Sequence, residues 1–151
     1  MMDLSMSNLR RPVAAIAVFT LFTLGLATRV TAVDGAIEKA NVKVVDDFIA
    51  AWSDPDKAVT YLAPEASVRM VEDQPAIVGQ PAIAAAFKGF LTPGVTLGVE
   101  TLETTVHGPV VMNKRIDTLK TDGKPDQVFP VVGVFVVKNG KITEWVDYLD
   151  K

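Results

Sequence analysis

A chain of 151 residues, 49% hydrophobic and 22% charged, has the size and make-up of one compact domain with a short appendage, not of two domains or a disordered segment. A formal net charge of −3 leaves no basic stripe for neutralising phosphates, which argues against nucleic acid as a partner. Cysteine is absent and His107 is the single histidine, so disulfides, thiolate chemistry, cysteine-ligated zinc and histidine-rich metal centres are excluded.

Arg10 and Arg11 precede an apolar run from Val13 to Ala27, and Val30-Thr31-Ala32 follows. That is the layout of a secretory signal, with cleavage after Ala32 or after Ala27, where Gly25 supplies the other small residue. The run is short for a spanning helix and Arg29 closes it, but an uncleaved membrane anchor over residues 13–27 is the alternative. On both readings residues 1–32 are the appendage, and residues 33–151 form a domain that works outside the cytoplasm.

From Ile37 to Trp52 the apolar residues Ile37, Ala40, Val44, Val45, Phe48, Ile49 and Trp52 recur at helical spacing among Glu38, Lys39, Asp46 and Asp47, which predicts an amphipathic helix that Asp34 could cap. Asp54 followed by Pro55 is a second helix start, with Pro64 as its stop, and Pro81 opens a third helix carrying Ile83, Phe87, Phe90 and Leu91. Between them, residues 66–79 have room for two short strands joined at Glu72-Asp73. From Val95 onward four strands are expected, punctuated by His107-Gly108-Pro109, Asp122-Gly123 and Asn139-Gly140. Asn-Gly and Asp-Gly between alternating apolar runs are strong hairpin signals. Helices followed by an antiparallel meander predict an α+β fold with helices on one face of a bent sheet.

The strand from Gln127 to Lys138 is apolar on both faces: Phe129, Val131 and Phe135 on one, Val128, Val132, Val134 and Val136 on the other. A sheet apolar on both sides needs helices on one and either a second subunit or a cavity on the other. Pro130 cannot donate to the ladder, so a bulge or bend is expected there.

In the preceding strand Asn113, Arg115 and Asp117 alternate and so share one face, as do Trp145, Asp147 and Leu149 in the last strand. The intervening strand puts the two groups about 10 Å apart at the backbone, a gap an arginine can cross. Two arrangements are open. The charges are the solvated face of an amphipathic strand, or Arg115 joins Asp117 and Asp147 in a cleft over Phe129 and Val131. The apolar neighbours Leu119, Trp145 and Leu149, which the first arrangement would expose to water, favour the second.

The "RID" at Arg115–Asp117, the "GVF" at Gly133–Phe135 and the "GKITEWVDYLD" ending at Asp150 resemble the limonene-1,2-epoxide hydrolase family. That family sits in the superfamily that includes ketosteroid isomerase, scytalone dehydratase and nuclear transport factor 2. The likeness is strongest from about Val110 to Asp150 and weaker back to about Val44. It implies a cone-shaped, strongly curved, mostly antiparallel sheet with three N-terminal helices packed to form a pocket, no cofactor, and a homodimer formed through the sheet. It also implies an epoxide hydrolase that adds water to a small apolar epoxide in one step. Asp147 would be the general base, Asp117 the general acid and Arg115 the bridge between them, with Val68, Met70, Phe90, Leu119, Phe129, Val131, Trp145 and Leu149 around the substrate.

In one respect the chain departs from the family. The Tyr and Asn that hold the attacking water are matched here by Val68 and Met70, which cannot hold a water by hydrogen bond. Asn113, one pleat from Arg115, is the candidate substitute. That departure keeps open a non-catalytic ligand-binding domain of the same fold, and an isomerase or cyclase using the same pocket.

Overall fold

The computed structural model describes the backbone of residues 24–149 and the side chains of residues 35–149. Most of the apolar run over 13–27 lies outside the described residues, and with it the signal and anchor readings. Among the described residues no helix is long and apolar enough to cross a membrane.

Helix α1 spans Leu24–Ala50. It starts well before the predicted point, so Asp34 lies within it and is not its cap. Residues 24–34 contain no proline, and a single glycine such as Gly35 costs only about 1 kcal/mol inside a helix. Asn41, Val45, Phe48 and Trp52, the last just beyond the helix, form its buried stripe, while Ile37 is exposed. Helix α2, Pro55–Ala58, begins as expected: the Asp54 carboxylate accepts from the Lys57 N–H at 3.1 Å. A 3-10 turn, Val59–Tyr61, leads directly into strand β1, Leu62–Arg69. Pro64 is therefore not a helix stop. It lies in the irregular part of the β1–β6 pairing, between Leu62 and Ser67, where a missing N–H is tolerated. Strand β2, Ile77–Val78, pairs back on β1, and Gly79 at φ +87° turns the chain into helix α3, Gln80–Phe90.

The meander follows as β3 (Val95–His107), β4 (Val110–Thr121), β5 (Gln127–Lys138) and β6 (Lys141–Leu149). The strand order is β2-β1-β6-β5-β4-β3, antiparallel except where β1 runs parallel to β6. Asn139 and Gly140, at φ 52° and 71°, make the turn between β5 and β6, where both residues need positive φ to match the strand twist. The fold is α+β, with a curved, unclosed six-stranded sheet.

No bulge occurs at Pro130. The β4–β5 register runs through it unbroken, with Pro130 opposite Ile116. The irregularities fall instead at Leu102 in β3, near Thr143 in β6, and in β1.

α1 and α3 cover one face of the sheet. Phe48 packs edge-on against Trp145 with centroids 5.5 Å apart and against Phe135 at 6.3 Å, and Phe87 closes the cluster from α3. Asn41 Nδ2 donates to the Gly108 carbonyl at 2.9 Å and Glu38 Oε1 accepts from the Gly108 N–H at 2.8 Å, tying α1 to the β3–β4 hairpin. His107, at the end of β3, is an exposed hairpin residue. On the opposite face Met112, Val128, Val132 and Tyr148 stand exposed.

Candidate active site

The alternation in β4 carries Asn113, Arg115 and Asp117 to the helix-covered face, and all three are buried there with Asp147 of β6. Register decides which of them meet. Asn113, Gly133 and Asp147 lie in one row across β4, β5 and β6, while Arg115 is opposite Val131 and Asp117 opposite Phe129. Arg115 therefore reaches Asp147 by crossing the row occupied by Gly133.

There the guanidinium, in a side chain only 1% exposed, serves three acceptors. Nε donates to Asp117 at 2.9 Å and 3.2 Å, Nη1 donates to Asn113 Oδ1 at 3.1 Å, and Nη2 donates to Asp147 Oδ2 in a short contact. Trp145 Nε1 donates to Asp147 Oδ1 at 2.6 Å, and the Trp52 ring lies 4.9 Å from the guanidinium carbon. A planar cation with fixed donors suits this task better than a lysine, because its N–H groups point in different directions at once.

Gly133 is a site residue that the sequence reading overlooked. A Cβ there would lie 2.7 Å from Asn113 Oδ1 and 2.8 Å from the Phe135 ring, and closer still to Arg115 Nη1. The signal was present, as a glycine inside a strand marks close approach by another group, but which group required the cross-strand register. Gly133→Ala is expected to destabilise the fold by about 1–3 kcal/mol and to displace the guanidinium. Chemical denaturation checks the first effect and a crystal structure of the variant the second.

Burial dominates the electrostatics. It pushes the Asp147 carboxyl up to about 6, against the attraction of Arg115 and the Trp145 hydrogen bond. Burial also raises Asp117, again opposed by Arg115. Two carboxylates sharing one cation in a dry site titrate as a pair.

Among the described residues, Asp117 and Asp147 are the only charged groups on the wall of a cavity of about 340 Å3. Of the predicted surroundings, Met70, Phe90, Phe129, Val131, Trp145 and Leu149 line it, and Val68 and Leu119 do not. Val68 is fully buried in the core, and Leu119 lies further along β4, opposite Leu97 and Gln127. Trp52, Val71, Phe87, Leu91 and Leu97 complete the wall. Of these, Trp52 and Phe87 carried only the sequence signal of core residues, which they also are. Asn113, expected as a water holder, is 2% exposed and does not line the cavity. It lies against the guanidinium, and its Nδ2 has no hydrogen-bond partner among the described residues. Arg115 likewise stays off the wall, with its N–H groups turned to the two carboxylates and Asn113.

Solved structures share this architecture. An LEH-like epoxide hydrolase of M. tuberculosis is 26% identical with a TM-score of 0.67, covering 75% of this chain and 84% of that one. SalBIII, described as an epoxide hydrolase/cyclase-like enzyme with a role in pyran ring formation in the polyether salinomycin, is 18% identical with a TM-score of 0.66, covering 75% and 92%. An NTF2-like protein from Burkholderia xenovorans LB400 is 22% identical with a TM-score of 0.63, covering 75% and 91%. The last two likenesses speak to fold alone. At the level of sequence, residues 39–151 match the family described as "Limonene-1,2-epoxide hydrolase catalytic domain", a span that includes every strand and the whole charged cluster. With that match over most of its length, the chain belongs to the limonene-1,2-epoxide hydrolase family.

Proposed function

We propose that the domain hydrolyses a small apolar epoxide to a vicinal diol in one step. The observation that carries this reading is the pair of carboxylates, bridged by one buried guanidinium, as the only charges among the described residues on an otherwise apolar cavity wall. Such a wall binds a ligand with little polar surface, and an epoxide has one oxygen to address.

Both Asp147 oxygens accept N–H groups, from Arg115 and Trp145, whereas Asp117 shares the single Nε–H of Arg115. Hydrogen bonds to both oxygens oppose the burial that raises Asp147, which supports Asp147 as the base, with Asp117, also raised by burial, as the acid. Asp147 takes a proton from water as the water oxygen bonds to an epoxide carbon. That carbon's bond to the epoxide oxygen breaks, and Asp117 protonates the departing oxygen. Afterwards a proton returns from Asp147 to Asp117 to restore the pair. A base poised about one unit below neutral pH, and an acid beside it, fit the Brønsted requirement for such chemistry. With Val68 and Met70 in place of the family's Tyr and Asn, the Asp147 carboxylate is left as the acceptor that holds the water.

That same absence favours one second reading, opening of the epoxide by a hydroxyl of the substrate itself to give a ring. Turnover of terpene and aryl epoxides in oxygen-18 water separates the two. Hydrolysis puts label into the diol in the first turnover, cyclisation leaves the product unlabelled, and failure to turn over any epoxide removes both.

We also propose that the exposed apolar outer face, with Val128, Val132 and Tyr148, pairs two copies through their sheets. Light scattering on the protein should give twice the chain mass, and Val132→Lys should return the monomer.

A further inference from the structure

A second, more open space of about 550 Å3 lies between the C-terminal end of α1 and the inner face of β3. Trp52 and Leu97 line both it and the charged cavity, so the two spaces share a wall. Their linings differ in chemistry. The cavity offers apolar surface and two carboxylates, whereas the groove sets Asp46, Ser53, Thr101 and Thr104 among Ile49 and Val99. These four polar side chains are exposed and make no hydrogen bond within the described residues.

The bulge in β3 is what makes the groove hydroxylic. Thr101 is opposite Arg115, Glu103 opposite Lys114 and Thr104 opposite Asn113, with Leu102 the extra residue. Strict alternation from Thr101 would bring Glu103 to the inner face. The extra residue turns Glu103 outward with Lys114 and brings Thr104 inward with Asn113. Two threonine hydroxyls and Ser53 thus stand beside a single carboxylate, Asp46, a set that accepts hydrogen bonds from a neutral donor and repels an anion.

The cavity alone is at the small end of ligand sites, which run from roughly 300 to 1,000 Å3. Cavity and groove together fall well inside that range. Resting on the hydrolase reading for the identity of the reacting end, we propose that the groove is a subsite for the distal, hydroxyl-bearing end of the substrate. The substrate is then an elongated molecule whose apolar, epoxide-bearing part fills the cavity. Its far end crosses Leu97 and Trp52 to meet Thr101 and Thr104.

Binding tests this without requiring turnover. Calorimetry on the full chain compares two twelve-carbon vicinal diols, one with a hydroxyl at the far end and one without, against wild type and the Thr101→Val/Thr104→Val variant. Valine keeps the β-branched shape at these exposed positions, so the strand is retained. Two lost hydrogen bonds at about 1 kcal/mol each correspond to roughly tenfold or more in affinity. The wild type should therefore prefer the hydroxylated ligand by about that factor, and the variant should lose the preference. Equal binding of both ligands by wild type, binding of neither, or a preference that survives in the variant would each overturn the subsite. A preference that depends on the threonines, in a protein that turns over no epoxide, would keep the subsite and remove the hydrolase reading.

Discussion

Asp147→Asn should lower kcat by about 10²–10⁴, the range that one general acid or base contributes, with little change in substrate binding. The replacement keeps the side-chain volume, so the cavity wall is preserved. It cannot keep the chemistry, since an amide presents one oxygen where Arg115 and Trp145 both require an acceptor, and it cannot take a proton from water. The pH profile is the sharper readout. In the wild type kcat/KM should rise as pH increases through about 6, as Asp147 ionises. Asp147→Asn should abolish the rising limb. A profile flat across that range in the wild type would remove Asp147 as the base.

Folding stability gives an independent check on the same group. The folded carboxyl titrates above its ordinary value of 3.8, so the fold favours its protonated form. The stabilisation from that group is fully present below the unfolded value and is lost as pH rises through about 6. Over that window the loss from this one group is of order 3 kcal/mol. Urea denaturation across the range should show a steeper decline for the wild type than for Asp147→Asn.

Arg115→Met should destabilise the protein by about 3–5 kcal/mol near neutral pH, the usual cost of removing one partner from a buried ion cluster. Methionine fills much of the space beneath Trp52 but leaves Asp117 and Asp147, 8% and 5% exposed, without their cation. Both carboxyls should then titrate higher still, and the penalty should shrink in acid, where protonation removes the buried charge. Activity should disappear, because neither a distinct base nor a distinct acid survives at the working pH. Arg115→Lys should also fail to sustain turnover, since one ammonium on a flexible stem does not reproduce planar contacts to Asp117, Asn113 and Asp147. A loss of stability below about 1 kcal/mol in Arg115→Met would mean that the cluster is solvated in a way its burial does not suggest.

What was legible beforehand rested on local rules. Period-two alternation put Asn113, Arg115 and Asp117 on one face because successive strand residues point to opposite sides. Asp54-Pro55, Pro81 and Asn139-Gly140 marked element boundaries because each constrains its own backbone. The start of α1 was misplaced because Asp34 satisfies a capping rule in isolation, while the residues before it do nothing to stop a helix. Pro130 forms no bulge because the cost of its missing N–H depends on the partner strand it faces, and the register with β4 runs through it unbroken.

The site shows the same division. Residue types and spacing by themselves determined that two carboxylates and a guanidinium could meet across three strands. Only the tertiary structure decided that Gly133 gives the guanidinium its passage, that Asn113 lies against the guanidinium and off the cavity wall, and that Val68 is core while Trp52 and Leu97 are wall. Those outcomes depend on register between strands and on how helices close over them. A side chain's direction is set by its own backbone, but what it meets is set by residues distant in sequence.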